Sequence, residues 1–311
     1  MNAVNLDQAL LRQLEGKTAI LTGAAGGIGA EITRFLISNG ANVVMADLEL
    51  TRASVEAILS SLPDPSRAMF VPTDILKWVE MVSLFKQALS KFGSIEFVIA
   101  NAGVMERKTV LDIDEVDEAG DPVESKDFSK VIDINLKGTM NTLKLGLFYM
   151  KGNEAVFADG SKGSIILISS TSGYFGSTGV AGYISSKHGV TGLLRGSQNV
   201  AAKYAIRVNG VAPFVTPTAM SSGFAEEWKA SGLPTNTATD VARVVSVLAC
   251  DDSKRGSCYL TCGPIVKELE QSRTALIEAW FGEEASQLMK NAGQFFKERG
   301  GYTLPSLKAI D

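Results

Sequence analysis

The chain is poor in cysteine, which limits both its covalent crosslinks and its metal chemistry. It has three cysteines in 311 residues, at positions 250, 258 and 262. Three thiols are too few for a disulfide framework, and a CxxxC pair without further Cys or His partners lacks the ligands of a structural zinc site. We therefore expect free thiols and no metal site.

The sequence also lacks a strong excess of positive charge and any long apolar run. Its 30 lysines and arginines against 34 acidic residues give a net charge of -4, so a basic surface for nucleic acid is not expected. The N-terminal stretch MNAVNLDQALLRQLEGK has neither the basic start nor the apolar core of a secretory signal, and no run reaches transmembrane length. These absences favour a cytoplasmic protein whose partner is a small molecule, not nucleic acid or a membrane.

What the sequence does contain is an alternation of short β-branched runs with longer amphipathic stretches. It starts at Lys17, and the first unit is predicted as a strand at 18–22, a helix at 30–39 and a strand at 42–46. Strands and helices in this rhythm are typical of a parallel sheet covered by helices. The sequence therefore predicts an α/β fold, a Rossmann-type doubly wound parallel sheet in a single domain over residues 1–311.

Several segments of this predicted domain have their own character. Residues 1–16 are a lead-in, and residues 220–239 mix aromatic side chains with Ser, Gly and Pro, as expected of a substrate lid. Long helices are predicted at 128–150 and 181–203. Residues 264–311 have helical periodicity and form a C-terminal extension, which is expected to cover the substrate cleft or to form a subunit interface.

A glycine-rich turn follows the first predicted strand. The sequence TGAAGGIGAE at 22–31 places Gly23, Gly27 and Gly29 between a strand and a helix. Residues without a Cβ atom permit a tight turn and let a pyrophosphate approach the helix N-terminus. Asp47 ends the second strand, near the offset at which a carboxylate binds the ribose hydroxyls of NAD and repels the 2′-phosphate of NADP. NAD is therefore the predicted cofactor, with an ordinary turn or capping acid as the alternative role of Asp47.

A second set of motifs carries a family resemblance. Tyr183 and Lys187 form a YxxxK motif, and Ser170 precedes it at the end of the run IILISS. Together with motifs earlier in the chain, these residues form an ordered set that resembles the short-chain dehydrogenase/reductase family over residues 17–263. In chain order the set comprises the glycine turn, Asp47, Asp74, Asn101-Ala102-Gly103, Asn135, Ser170, Tyr183 and Lys187.

The resemblance implies a catalytic set of four residues. Tyr183 is the general base that exchanges a proton with the substrate hydroxyl, Ser170 orients the same oxygen, and Lys187 binds the nicotinamide ribose. Asn135 positions a water molecule that connects the lysine to solvent. Apart from the resemblance, residues i and i+4 share one helix face, and a neighbouring ammonium favours the phenolate of Tyr183.

The resemblance also implies a cofactor-binding set. Phe214 stands where the family usually has glycine, and either Thr216 or Thr218 takes the position of the threonine that contacts the nicotinamide carboxamide. The full set is Thr22, Gly23, Ala25, Gly27, Ile28, Gly29, Asp47, Leu48, Asp74, Ile75, Asn101, Ala102, Gly103, Tyr183, Lys187, Pro213, Phe214, Thr216 and Thr218.

The predicted substrate pocket is largely apolar, which suits a lipophilic ligand. The predicted reaction is therefore the NAD-dependent oxidation of a bulky secondary alcohol, such as a terpenoid, steroid-like or polyketide compound, to a ketone. The pocket residues are Ser170, Ser172, Tyr174, Phe175, Phe214 and Met220.

Two alternatives to this reaction remain open. An NADPH-dependent carbonyl reductase would bind NADPH more tightly than NADH, and a non-catalytic dinucleotide-sensing or scaffold protein would carry damaged catalytic positions. The only histidine, His188, is adjacent to Lys187 and therefore on another helix face, so we expect it at the surface and not in a histidine-based triad. Because related proteins usually associate through their late helices, a homodimer or homotetramer is expected.

Overall fold

The computed structural model describes residue 4 and residues 6–304. Within that range one sheet contains eight strands in the order β3-β2-β1-β4-β5-β6-β7-β8, of which β1 to β7 are parallel and β8 runs antiparallel to β7. The strands are β1 (Thr18–Thr22), β2 (Asn42–Asp47), β3 (Ala68–Pro72), β4 (Phe97–Ala100), β5 (Gly163–Ile168), β6 (Ile206–Pro213), β7 (Cys258–Cys262) and β8 (Ile265–Glu268).

Helices connect these strands and cover the sheet. On one side α1 packs against α9, and on the other α3 packs against α5, as right-handed crossovers require. The helices are α1 (Gly27–Ser38), α2 (Arg52–Ser60), α3 (Trp78–Phe92), α4 (Lys126–Ile132), α5 (Thr139–Met150), α6 (Ala181–Gly196), α7 (Gln198–Lys203), α8 (Ala225–Ala230), α9 (Ala238–Cys250), α10 (Glu270–Ala275), α11 (Ile277–Phe281) and α12 (Glu283–Glu298).

The central strands are buried on both faces, which explains why they are continuous apolar runs in the sequence. Every residue of β1, β4, β5 and β6 is buried. The strand order reverses between β1 and β4, and in such sheets ligands bind outside the carboxyl ends of the strands at this point. The predicted Rossmann-type α/β fold is confirmed.

Some boundaries differ from the sequence prediction. The helix predicted at 128–150 is α4 and α5 joined by a π-helical turn at Asp133–Gly138, and the helix predicted at 181–203 is interrupted at Ser197. The strand β8 lies inside the predicted extension 264–311, because residues 265–268 pair with β7.

The described chain divides into two compact units at Glu268. The first contains the sheet and its helices, and a 3-10 helix at Gln8–Leu14 occupies the predicted lead-in 1–16. The second begins at Leu269 and contains α10, α11 and α12. Residues 1–3 and 5 of the lead-in and residues 305–311 of the extension lie outside the described residues. Among the residues that are described, no helix is long and apolar enough to cross a membrane.

Candidate active site

The predicted cofactor residues are brought together because they follow parallel strands whose carboxyl ends meet at one edge of the sheet. Residues from five strands contribute to this edge, in addition to those on α6. They are Thr22, Gly23, Ala25, Gly27, Ile28 and Gly29 at the end of β1, Asp47 and Leu48 at β2, Asp74 and Ile75 after β3, Asn101, Ala102 and Gly103 after β4, and Pro213, Phe214, Thr216 and Thr218 at β6.

The glycine turn needs glycine for two separate reasons. Gly23 has φ +66°, and a Cβ atom there would lie 2.7 Å from the Cα atom of Ala102. A Cβ atom on Gly29 would lie 2.0 Å from the carbonyl oxygen of Gly23. Helix α1 begins after Gly26, which provides no side-chain cap. The first turn of this 12-residue helix therefore fits a phosphate group, which its amides and dipole favour.

Asn101 and Thr22 hold the turn against β4. The Asn101 side-chain amide donates to the carbonyl oxygens of Thr22 and Gly23 at 3.1 and 3.0 Å. In return, the Thr22 hydroxyl accepts from the backbone amides of Asn101 and Ala102 at 3.1 and 3.2 Å. This reciprocal bonding fixes the carboxyl ends of two adjacent strands relative to each other.

Asp47 lies at the same turn, with both carboxylate oxygens engaged by the backbone. Its Oδ2 atom accepts from the Ala25 amide at 2.9 Å and its Oδ1 atom from the Leu48 amide at 2.8 Å. Arg52 begins α2, and its guanidinium is paired with Glu49 at 2.5 Å. The nearest basic residue along the chain is thus paired elsewhere, and the half-buried carboxylate of Asp47 stands at the turn.

Tyr183 and Lys187 lie on one buried face of α6, as their spacing predicts. The Lys187 ammonium is 5.6 Å from the centre of the Tyr183 ring and donates to the Ile168 carbonyl oxygen at 2.8 Å. Burial lowers the pKa of Lys187 to about 8. His188, next in sequence, is exposed at the surface, as expected.

The pKa of Tyr183 moves against the direction expected from the sequence. Burial raises it, a hydrogen bond with Ser170 lowers it, and the Glu106 carboxylate raises it further, with a net rise. Desolvation therefore outweighs the stabilisation of the phenolate that a neighbouring ammonium was expected to provide. The side chains of the protein alone keep the phenol protonated at neutral pH.

Asn135 is fully buried in the π-helical turn and connects two parts of the site. Its side chain accepts from the Val104 amide and donates to the Val104 carbonyl oxygen, both at 2.8 Å. It also donates to the Ser186 hydroxyl at 2.9 Å, which donates in turn to the carbonyl oxygen of Tyr183 at 2.7 Å. Asn135 thus ties the segment after β4 to α6, and its predicted role in positioning water stays a prediction.

Glu106 and Asn236 are site residues that the sequence analysis missed. The Glu106 carboxylate accepts from the backbone amides of Gly182 and Tyr183 at 3.0 and 2.9 Å. Asn236, 1% exposed, accepts from the Gly263 amide at 2.8 Å and donates to the Thr261 carbonyl oxygen at 3.0 Å. A sequence signal could have indicated Glu106. Val180, at the cap position of α6, has no acceptor side chain, so the first turn of this helix needs an acceptor from elsewhere.

The segment after β6 separates the two candidate threonines. A Cβ atom built on Gly27 would lie 3.2 Å from the Thr218 methyl group, so Thr218 lies against the glycine turn. Thr216 is buried, and its hydroxyl donates to the Phe214 carbonyl oxygen at 3.0 Å and accepts from Asn236 at 3.2 Å. Thr218 therefore lies at the nucleotide turn, and Thr216 belongs to the anchor of the predicted lid 220–239.

The predicted pocket residues differ in their exposure. The ring of Phe214 packs edge-on against Trp228 at 5.2 Å, within the predicted lid. The Ser172 amide donates to the Ser170 hydroxyl at 3.1 Å, and Tyr174 stacks with the Arg195 guanidinium at 5.8 Å. Among the predicted pocket residues, Phe175 and Met220 are the exposed ones, at 65% and 41%.

Comparisons with known proteins point to one family. The family described as short chain dehydrogenase matches residues 17–229. The short-chain dehydrogenase/reductase prx4 of Penicillium roqueforti is 29% identical over 93% of this chain and 88% of its own length. Short-chain dehydrogenase reductase 3c of Arabidopsis thaliana is 32% identical over 78% of this chain and 90% of its own length.

Solved structures show the same fold. A 3-hydroxyacyl-CoA dehydrogenase type-2 from Mycobacterium avium superposes with a TM-score of 0.68 at 28% identity, covering 81% of this chain and 97% of that one. A 3-ketoacyl-(acyl-carrier-protein) reductase from Brucella melitensis, complexed with NADH, superposes with a TM-score of 0.70 at 24% identity, covering 80% and 98%. This chain therefore has the fold that these two oxidoreductases share.

Proposed function

This chain belongs to the short chain dehydrogenase family, and we propose that it oxidises a bulky, lipophilic secondary alcohol to a ketone with NAD⁺ as the hydride acceptor. The observation that carries the proposal is one buried cluster at the carboxyl edge of the sheet. In it the side chain of Ser170 interacts with the Tyr183 phenol and lowers its pKa, and the Lys187 ammonium lies 5.6 Å from the centre of the phenol ring. These are the groups that a proton transfer to or from an alcohol oxygen requires.

The residues at the glycine turn fit a dinucleotide. The uncapped first turn of α1 would receive the pyrophosphate, and Asp47 would receive the ribose hydroxyls. The carboxylate of Asp47 would repel a 2′-phosphate, which supports NAD over NADP. NAD⁺, when bound, supplies the hydride acceptor and a positively charged ring.

The proton step is assigned to the side chains of α6 and the end of β5. In its phenolate form, which the positive charge of a bound NAD⁺ ring would favour, Tyr183 accepts the proton of the substrate hydroxyl, and Ser170 orients the oxygen that carries it. At pH 7 most Lys187 side chains keep their proton, because the pKa of this lysine is about 8. Its ammonium therefore provides positive charge beside the phenol at the working pH.

Carbonyl reduction is the second candidate, and one observation favours it. The pKa of Tyr183 is raised, so the phenol is held in the form that protonates an alkoxide. A reductase would run the same site in the opposite direction, with NADH or NADPH. A non-catalytic sensing or scaffold role has less support, because all four predicted catalytic residues are present.

The lipophilic substrate class is supported by aromatic groups near the lid. Phe214 and Trp228 form an edge-on pair, and Phe175 and Met220 expose apolar surface. Such groups bind apolar ligands better than polyols. The Mycobacterium avium relative is named for a hydroxyacyl substrate, which is itself an alcohol on an acyl chain.

The direct test is an activity panel with the purified chain. Steroid, terpenoid and hydroxyacyl alcohols are incubated with NAD⁺ or NADP⁺, beside hydrophilic polyols, and the reduced nicotinamide is followed by absorbance; the matching ketones are tested with NADH and NADPH. Turnover of lipophilic alcohols with NAD⁺ is expected. Turnover confined to polyols contradicts the substrate class, and tighter binding of NADPH than NADH contradicts the role of Asp47.

Tyr183→Phe is the matched control for the chemistry. It should reduce turnover by roughly 10³-fold or more, because a general base contributes about 10²–10⁴-fold, and it should leave NADH affinity nearly unchanged. Unchanged turnover would show that Tyr183 is not the base.

We also propose that the chain forms a homodimer through α5 and α7. Exposed apolar side chains there, among them Met140, Phe148 and Val200, border a groove of about 550 Å³. Phe148→Glu would place a charge in this interface, so light scattering should report a monomer; an unchanged mass contradicts this interface. A cytoplasmic location stays a prediction.

A further inference from the structure

The catalytic helix α6 begins without a cap of its own. Its cap position is Val180, which has no side-chain acceptor, although the first turn of any helix exposes unpaired amides. Glu106 provides the acceptors from a distant part of the chain, 76 residues before Gly182. One carboxylate oxygen accepts from Gly182 and the other from Tyr183, at 3.0 and 2.9 Å.

The position of Glu106 is fixed from a second side. Asp127, in the first turn of α4, accepts from the backbone amides of Arg107 and Lys108 at 2.8 and 3.2 Å. Residues 106–108 are thus held between α4 and α6. They form the base of the acidic loop 109–124, which carries no strand or helix.

We propose that Glu106 is a positioning residue for Tyr183: its carboxylate fixes the first turn of α6 and places a negative charge at the start of the helix that carries the phenol. The proposal rests on the proposed function, since it concerns the proton step of the same site. In this proposal, the loop after β4 contributes to the cofactor edge and also affects the general base Tyr183.

The charges around Tyr183 show why Glu106 matters. Lys187 lies on the same helix, 5.6 Å from the ring, and Ser170 forms a hydrogen bond with the phenol. On α4, the carboxylate of Asp127 is turned toward the amides of residues 107 and 108. Burial raises the pKa of Tyr183 most, and the Glu106 carboxylate raises it further by opposing the phenolate, so the residue that anchors the helix also contributes to the pH at which the base becomes active.

Glu106→Gln separates the charge from the cap. The amide keeps one acceptor oxygen for the first turn of α6 and removes the negative charge. Glu118→Gln is the matched control, because Glu118 is an exposed acid of the same loop. Glu106→Ala removes both hydrogen bonds, and the loss of a cap should lower Tm by about 2–4 °C.

The first measurement needs no substrate. Protein labelled with ¹³C at the tyrosine Cζ atom is titrated by NMR, and Tyr183→Phe assigns the signal. The Tyr183 signal should titrate about half a unit to one unit lower in Glu106→Gln than in the wild-type chain, and at an unchanged pH in Glu118→Gln. Identical titration of Tyr183 in Glu106→Gln and the wild-type chain overturns the proposal.

The second measurement is the pH dependence of alcohol oxidation. The ascending limb, along which activity rises as Tyr183 loses its proton, should move to lower pH by the same amount, which makes Glu106→Gln roughly 3–10-fold faster than wild type at pH values on that limb. A shift in the NMR titration without any turnover contradicts the proposed function and supports the role of Glu106. Turnover whose limb stays in place, together with an unshifted titration, supports the function and overturns the role of Glu106.

Discussion

Two buried cations lie at opposite ends of the sheet, and they differ in how many hydrogen-bond acceptors surround them. Lys187, at the carboxyl end, is 4% exposed and donates to one carbonyl oxygen within the described chain, that of Ile168. Arg207, at the start of β6, is 0% exposed and donates to the Ser161 hydroxyl and to the carbonyl oxygens of Asp251 and Ala249, at 2.8–3.1 Å. Its guanidinium also lies 4.5 Å from the centre of the Phe157 ring.

The difference shows at which end of the sheet a buried cation has N–H donors left for a ligand. Both groups lose hydration on burial, and burial lowers the pKa of each. Arg207 recovers interactions through three acceptors and an aromatic ring, so it stabilises the fold. Lys187 has three N–H donors and, among the described residues, one acceptor at 2.8 Å, so its remaining donors are available to a ligand. The ligand end of the sheet is thereby less stable than a fully paired end would be.

Replacing Lys187 should have the largest effect. Lys187→Met should reduce turnover by roughly 10³-fold, because the charge beside Tyr183 and the contact to the nicotinamide ribose are both lost. The same change should increase the free energy of unfolding at pH 7 by about 1–3 kcal/mol, because a poorly solvated ammonium is removed. Turnover assays and urea unfolding measure the two. A less stable variant would show that Lys187 is a structural cation, as Arg207 is.

Arg207 should give the opposite result. Arg207→Met leaves the hydroxyl of Ser161 and two carbonyl oxygens without their donor, so the free energy of unfolding should fall by about 3 kcal/mol. Turnover per folded molecule should stay close to wild type, because this residue is at the far end of the sheet. Arg207→Lys is the control, because it keeps the charge and loses the planar donor geometry. Its free energy of unfolding should lie between those of the wild-type chain and Arg207→Met. If Arg207→Met lost turnover without losing stability, the two ends of the sheet would not differ in the way proposed.

This contrast also shows what could be predicted from the sequence. The strand 18–22 and the pairing of Tyr183 with Lys187 follow from local periods, namely β-branched runs and the i, i+4 spacing of a helix. Asp47 at the turn follows from the regular length of a βαβ unit. These features depend on neighbours in sequence or on the commonest topology of the fold.

The features that could not be predicted depend on distant partners. The capping of α6 by Glu106 joins residues 76 positions apart, and the bond from Arg207 to Ser161 joins residues 46 apart. The direction of the Tyr183 pKa shift depends on burial, which a list of neighbours does not measure. Strand β8 is short and partly exposed, so it has no apolar run to indicate it.

The stability difference at Lys187 should depend on pH. The pKa of this lysine is about 8 in the folded chain and 10.5 for an ordinary lysine, so the folded state loses its proton first as the pH rises. Between these values the unfolded state binds more protons, and the stability of the wild-type chain rises with pH. The advantage of Lys187→Met should therefore be full below pH 8 and shrink by about 1–2 kcal/mol by pH 10. Urea unfolding of both proteins at pH 8 and pH 10 measures this difference in stability. A difference that does not change with pH would mean that the Lys187 ammonium is solvated.

The smallest effect is expected from a charge at the Arg207 end that is not buried. Arg255 pairs with Asp159, whose carboxylate also accepts from the hydroxyl of Ser161, and Ser161 accepts from Arg207, so three interactions separate Arg255 from Arg207 in the same network. Its side chain is 42% exposed, and an exposed ion pair contributes about 0–1 kcal/mol. Arg255→Gln should lower the free energy of unfolding by less than about 1 kcal/mol, and added salt should reduce the difference further. A loss as large as that of Arg207→Met would mean that the network, and not the burial of Arg207, distinguishes the two ends of the sheet.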